Sequence, residues 1–173
     1  MIKVQITDAT TSDAALLKQI GATYFYDAYK DVKFDGHLTD YIKTAFIESE
    51  IEQQIAGRQA HYMIARNGSN PCGYVKICWD RTHPNLTTTK NLEVERIYVD
   101  RNHWRDGIGK QLLSACIDYG RKNNFEVLWL GVWQKNERAI NFYKSQSMEI
   151  FGEKKFWVGS EENDDFVLRL SLL

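Results

Sequence analysis

Gly107 and Gly109 stand where the chain changes period, and with the residues around them they offer the clearest chemistry in the sequence. Before them Val94, Ile97, Tyr98 and Val99 are β-formers interspersed with Glu93, Glu95 and Arg96, and the run stops at the polar cluster Asp100-Arg101-Asn102. After them Ile108, Leu112, Leu113, Cys116 and Ile117 recur at helical spacing, with Lys110, Gln111, Ser114, Asp118 and Arg121 on the other side. A strand therefore hands over to a helix at Gly107-Ile108-Gly109. The start of a helix has unpaired N–H groups and the positive end of the macrodipole, and glycines there let an anion reach the backbone without meeting a Cβ. That is the chemistry of a phosphate site flanked by Arg105 and Lys110; glycines at such a turn can equally serve the turn alone. Two nucleotide motifs are excluded by spacing: Trp104 and Gln111 stand where a P-loop needs Gly and Ser or Thr, and Leu112 stands where the dinucleotide fingerprint needs a small third residue. On the strand itself, Glu93 and Glu95 share one face by the two-residue period. They are candidate general bases, or else solvated carboxylates and partners of Arg96.

The elements that must position these residues follow from the hydrophobic pattern. Residues 1–7 alternate as a half-buried strand. Thr11, Ser12 and Asp13 offer N-caps for a helix carrying Leu16, Leu17, Ile20, Tyr24 and Phe25, and a second helix runs from about Thr39, broken near Glu48. Residues 61–65 and 72–79 read as a hairpin across the Asn-Gly and Pro of 66–71, and residues 80–90 as a surface loop. The near-continuous apolar run 125–132 is a strand buried on both faces, which makes a βαβ unit with the strand that ends at Val99. Asn136 then opens a short helix with Ile140, Phe142 and Tyr143, and strands at 151–158 and 166–172 are joined by the polar residues 159–165.

Composition narrows the classes. With 173 residues, 43% of them hydrophobic, the chain suits a single domain over 1–173. A net charge of -1 gives no global attraction to nucleic acid or to an anionic membrane, so any polyanion site is local. Cys72, Cys78 and Cys116 are odd in number and lack CxxC spacing, which points to small buried hydrophobes in a reducing compartment. His37, His61, His83 and His103 lack ligand spacing, so no metal is expected. No apolar block suits a signal or a membrane span, and the expected location is cytoplasmic.

Arg105-Asp106-Gly107-Ile108-Gly109 after Ile97-Tyr98-Val99, followed one strand later by an Asn-opened helix with a Tyr two turns on, resembles the GNAT superfamily of acetyl-CoA-dependent N-acetyltransferases. The match covers residues 93–151; its departure is Trp104, where the family has Arg or Gln. The resemblance implies an α/β fold: a mixed, mostly antiparallel sheet of six to seven strands with a central parallel pair, flanked by about four helices. It implies acetyl-CoA as co-substrate, its pantetheine arm on backbone groups of Ile97, Tyr98 and Val99, its pyrophosphate on Arg105, Asp106, Gly107, Ile108, Gly109 and Lys110, and Asn136 and Tyr143 nearby. Glu93 resembles the family's base and Tyr143 its general acid. The diamine and spermidine/spermine acetyltransferases share the GYVKI, LExxRIYV and NxxAxxFY patterns, which implies a small-molecule amine acceptor, a polyamine or diamine, with no nucleic-acid or membrane partner; a homodimer is compatible with it. Residues 31–52 carry Asp31, Asp35, Asp40, Glu48, Glu50 and Glu52 against Lys33 and Lys43, a field that would attract a cation or else a solvated helix face. Asp31, Asp35 and Glu95 are thus the expected acceptor-binding acids. The rival from another class is a non-catalytic acyl-CoA sensor, which would need neither Tyr143 nor a strand carboxylate.

Overall fold

The computed structural model describes residues 2–31 and 37–173. Its strands are β1 (Gln5–Asp8), β2 (His61–Asn67), β3 (Asn70–Cys78), β4 (Asn91–Val99), β5 (Val127–Trp133), β6 (Glu149–Val158) and β7 (Glu161–Ser171). Its helices are α1 (Ala14–Tyr29), α2 (His37–Ala45), α3 (Glu48–Ala56), α4 (Ile108–Lys122) and α5 (Glu137–Ser145). The strands form one sheet in the order β1-β2-β3-β4-β5-β7-β6, antiparallel except for the central β4–β5 pair. This is the α/β arrangement the sequence implies, with the helix expected from Thr39 in two pieces separated at Phe46-Ile47. Among the described residues no helix is long and apolar enough to cross a membrane.

Each face of the sheet has its own core. On one face Ile108, Leu112, Leu113 and Cys116 of α4 and Ile140 and Tyr143 of α5 pack on Val75, Leu92, Val94 and Leu128. On the other Leu17, Ile20 and Phe25 of α1 and Ile51 of α3 cover Tyr62, Ile64 and Tyr74. All three cysteines are free and buried. Fully burying a Leu such as Leu112 or Leu113 contributes ~1.5–3 kcal/mol, so α4 is held chiefly by its apolar stripe.

Two departures from the sequence reading matter for the site. Residues 159–165, expected to be a connection, are mostly strand: only Gly159 and Ser160 turn, and Gly159 does so at φ +61. The strand runs on because Asn163, Asp165 and Val167 are buried at a period of two, so a polar stretch still alternates. The second departure is a bulge. Lys76 pairs with Arg96 but Ile77 pairs with Val94, leaving Glu95 as an extra residue in β4. Leu92, Val94, Ile97 and Val99 therefore all reach the α4 core, whereas Glu93, Glu95, Arg96 and Tyr98 face the other side.

Candidate active site

The parallel pair stays together only from Asn91–Val127 to Glu93–Trp129. Beyond Glu93, β4 follows β3 while β5 follows β7, and a cleft opens between them. Asp100 N–H donates to Cys72 O at 2.9 Å, so by antiparallel alternation Tyr98 exchanges its backbone bonds with Tyr74 while Ile97 and Val99 turn theirs toward the cleft. Trp104 Nε1 takes the Val99 carbonyl at 2.9 Å. Ile97 thus presents its backbone groups there and Val99 its N–H, the Val99 carbonyl being taken, and the Tyr98 side chain lines a cavity on the α1 side.

One end of the cleft is the turn before α4. Gly107 caps the helix at φ 82, and Arg105 precedes it at φ 74. A left-handed residue costs glycine nothing and other residues about 1–2 kcal/mol, so Gly107 is dictated by the turn itself. Gly109 is not: a Cβ there would meet Phe142 at 3.7 Å and Val99 at 3.9 Å, ordinary contacts. Ile108, Gly109 and Lys110 carry the first N–H groups of α4, which have no partner along the helix. Asp106 turns its backbone inward, donating to His103 O and accepting from Ile2 N–H. The Arg105 and Lys110 side chains are exposed, and the Ile108 side chain is core. Arg138 of α5 stacks its guanidinium on Trp104 at 3.6 Å; burial, then the nearby Arg101 and Arg105, pull its pKa down, as expected for crowded cations. That cluster is invisible to sequence reasoning because Arg138 lies 34 positions away from Trp104, on a helix beyond the next strand.

Asn136 caps α5, its Oδ1 accepting from Ala139 N–H at 3.1 Å. The helix it starts places Tyr143 in the α4-side core, where burial, then Tyr29 and Cys116, push the phenol pKa up. A phenol held protonated is a proton donor, not a nucleophile.

On the other side of the cleft lies a cavity of about 240 Å³ that brings Glu93 and Glu95 together, as their shared face implied. Glu95 is occupied: Lys76 Nζ lies at 2.9 Å, Arg81 at 3.3 Å and Arg96 at 3.7 Å, and Cys78 Sγ donates to it at 3.1 Å. Burial raises its pKa, but Lys76 and the two arginines outweigh burial and hold it below the usual carboxylate range. Glu93 accepts from Lys154 Nζ at 3.1 Å through Oε1, with Arg81 Nη1 3.6 Å from Oε2. Across the cavity Asp165 has its pKa raised to about 6, by burial first, against the pull of Lys154. Arg81, Lys154 and Asp165 were not anticipated. Arg81 falls in the stretch that the sequence marks as a surface loop and Asp165 in one it marks as a connection, and the signal for the latter is the even spacing of Asn163, Asp165 and Val167.

Of the expected acceptor acids Glu95 lines this cavity and Asp31 does not. Asp31 is exposed and pairs with Arg101 at 3.7 Å, Asp40 pairs with Lys43 and Glu48 with Lys18, and none of them lines the cavity. Asp35 lies outside the described residues. Among the described residues no group of three His, Cys, Asp or Glu is placed to hold a metal ion.

The family model described as the acetyltransferase (GNAT) family matches residues 22–148. An uncharacterized N-acetyltransferase in the pepI 3' region of Lactobacillus delbrueckii subsp. lactis is 28% identical over 173 residues, covering 100% of both chains. The N-alpha-acetyltransferase RimI of Mycobacterium tuberculosis is 27% identical over 117 residues, 68% of this chain and 70% of that one. Among solved structures, the PaiA N-acetyltransferase of Thermoplasma acidophilum in complex with coenzyme A superposes with a TM-score of 0.78 at 16% identity, covering 98% of this chain and 99% of that one.

Proposed function

The chain belongs to the acetyltransferase (GNAT) family, and from that premise we propose that it transfers the acetyl group of acetyl-CoA to a primary amine, a polyamine or diamine, by direct attack in a ternary complex. The observation that carries this reading is the parting of β4 from β5 after Glu93, with the Gly107 turn at one end of the opening and the charged cavity on its far side. The turn fits a pyrophosphate: three N–H groups point out of a helix start, and Arg105, Lys110 and Arg138 supply cations around it. Backbone groups of Ile97 and Val99 suit the amides of a pantetheine arm, and Asn136 holds α5 beside it.

Acetyl-CoA supplies the acetyl group as a thioester. Glu93 takes a proton from the acceptor ammonium, directly or through water, so that its nitrogen can form the new N–C bond. As the C–S bond breaks, Tyr143 Oη gives its proton to the departing sulfur, and the second proton that the nitrogen sheds as it becomes an amide restores the phenol by way of water. An N–H of the β4 end polarises the thioester carbonyl, a role no side-chain substitution deletes.

The carboxylates Glu93 and Asp165 in the cavity favour a cationic acceptor. A second reading, a peptide α-amine, is favoured by the likeness to the N-alpha-acetyltransferase RimI. The test is thiol release from acetyl-CoA against spermidine, spermine, putrescine, lysine peptides and alanine-led peptides. Release with polyamines above all others supports the first reading, release with peptide α-amines the second, and no release with any amine defeats both.

A further inference from the structure

A cation is already seated in the cavity. Lys154 reaches across β5 to place Nζ 3.1 Å from Glu93 Oε1 and 5.3 Å over the ring of Trp129. It can do so because residue 131 is glycine: a methyl there would collide with Lys154 Cε, lie 2.9 Å from its Nζ and lie 3.0 Å from Asp165 Oδ2. Carboxylates on two strands and an aromatic face are the surroundings that an alkylammonium ion demands.

The two carboxylates are also under-used. Glu93 Oε2 and Asp165 Oδ1 are buried without a hydrogen-bond partner, on residues only 2% and 6% exposed. Buried lone pairs of this kind are rare and cost free energy until a donor reaches them. Arg81 approaches the first at 3.6 Å, beyond hydrogen-bond range, and Lys154 donates to neither. Both line one cavity, and a ligand with several N–H donors supplies what each lacks.

We propose that the Lys154 ammonium is a built-in stand-in for the acceptor, displaced from Glu93 when a cationic primary amine binds, and that Asp165 is the second carboxylate that holds that amine. The proposal rests on the acetyltransferase reading and names the acceptor class for it. Lys154 is poised to leave, since its side chain is 31% exposed and regains rotamer freedom in solvent. The displacement also acts as a filter. An ammonium ion replaces the lost ion pair, whereas a neutral or anionic molecule would leave the buried Glu93 only Arg81, 3.6 Å away, as a charge partner.

The experiment uses the full chain and the primary amine that the panel above shows to be turned over best. Lys154→Met removes the competitor and should lower the KM of that amine, by roughly tenfold. Asp165→Asn removes one of its ligands and should raise that KM by about as much. The acetyl-CoA KM should stay within about twofold in both variants, and Lys154→Arg, which keeps a cation in place, should behave as the parent. Opposite signs at two residues facing one cavity are not produced by a general loss of structure, which would raise both constants together. Amine KM values that rise in both variants, or move in neither, overturn the proposal and leave the acetyltransferase reading standing. Absence of turnover with every amine overturns both.

Discussion

The guanidinium of Arg138 lies 3.6 Å over the ring of Trp104, the residue at which this chain departs from its family's turn motif. The indole is itself fixed by its N–H bond to Val99 O. A cation brought from α5 thus stands beside the position where a motif Arg or Gln would reach out. Arg138→Ala should weaken acetyl-CoA binding by about 1 kcal/mol, roughly fivefold, and reduce its salt dependence. Calorimetric affinities at two salt concentrations check this, and an unchanged value at low salt would leave the stacking purely structural.

Gly107 and Gly109 should respond differently to substitution. Gly107→Ala forces a Cβ into a left-handed turn and should lower stability by about 1–2 kcal/mol as well as affinity. Gly109→Val meets only ordinary contacts inside the protein at its first methyl position, so its effect should fall on acetyl-CoA affinity. Thermal melts alongside binding constants separate the two.

Tyr143→Phe keeps the buried ring and removes the proton. Turnover should fall by something like 10²–10⁴-fold with acetyl-CoA affinity little changed. Near-normal turnover with a substrate whose chemistry is rate-limiting would return Tyr143 to the role of a core aromatic.

Glu93 and Glu95 should separate into chemistry and structure. Glu95→Gln leaves Lys76, 3% exposed, without its charge partner, and should destabilise by about 3–5 kcal/mol. Glu93→Gln should lower kcat by roughly 10²-fold or more while the variant stays folded, since Lys154 can move to solvent. If Glu95→Gln instead abolishes turnover at full stability, the two roles are reversed.

Asp165 carries a stability cost that depends on pH. Burial raises its folded pKa to about 6, above the ordinary aspartate value of 3.8, so the folded state binds the extra proton, and stability present below pH 4 is lost as pH rises through 6. The charged groups lining the same cavity are Lys154, Glu93, Glu95, Arg81 and Arg96, none of which hydrogen-bonds Oδ1. Asp165→Asn should therefore melt higher than the parent at pH 8, by on the order of 2–3 kcal/mol, with the difference vanishing near pH 4. Equal melting temperatures at pH 8 would mean that Asp165 is ionised without cost.

The local features of this protein were legible in its sequence because they are set by residues close along the chain. The period change at Gly107, the Asn136 cap, the run 125–132 and the order of elements need only propensity and spacing. The bulge at Glu95 was also written there, since the apolar rhythm 92, 94, 97, 99 skips a beat, but a strict two-residue count passes over it. Tertiary structure alone decided the cavity. Lys154 meets Glu93 from 61 positions away, Arg138 of α5 meets Trp104 in the turn before α4, and Asp31 pairs with Arg101 away from the cavity. Sequence counts charges, but whether a charge is paired, buried or facing a ligand depends on which strands become neighbours, and the β5-β7-β6 order is what carries Lys154 and Asp165 to Glu93.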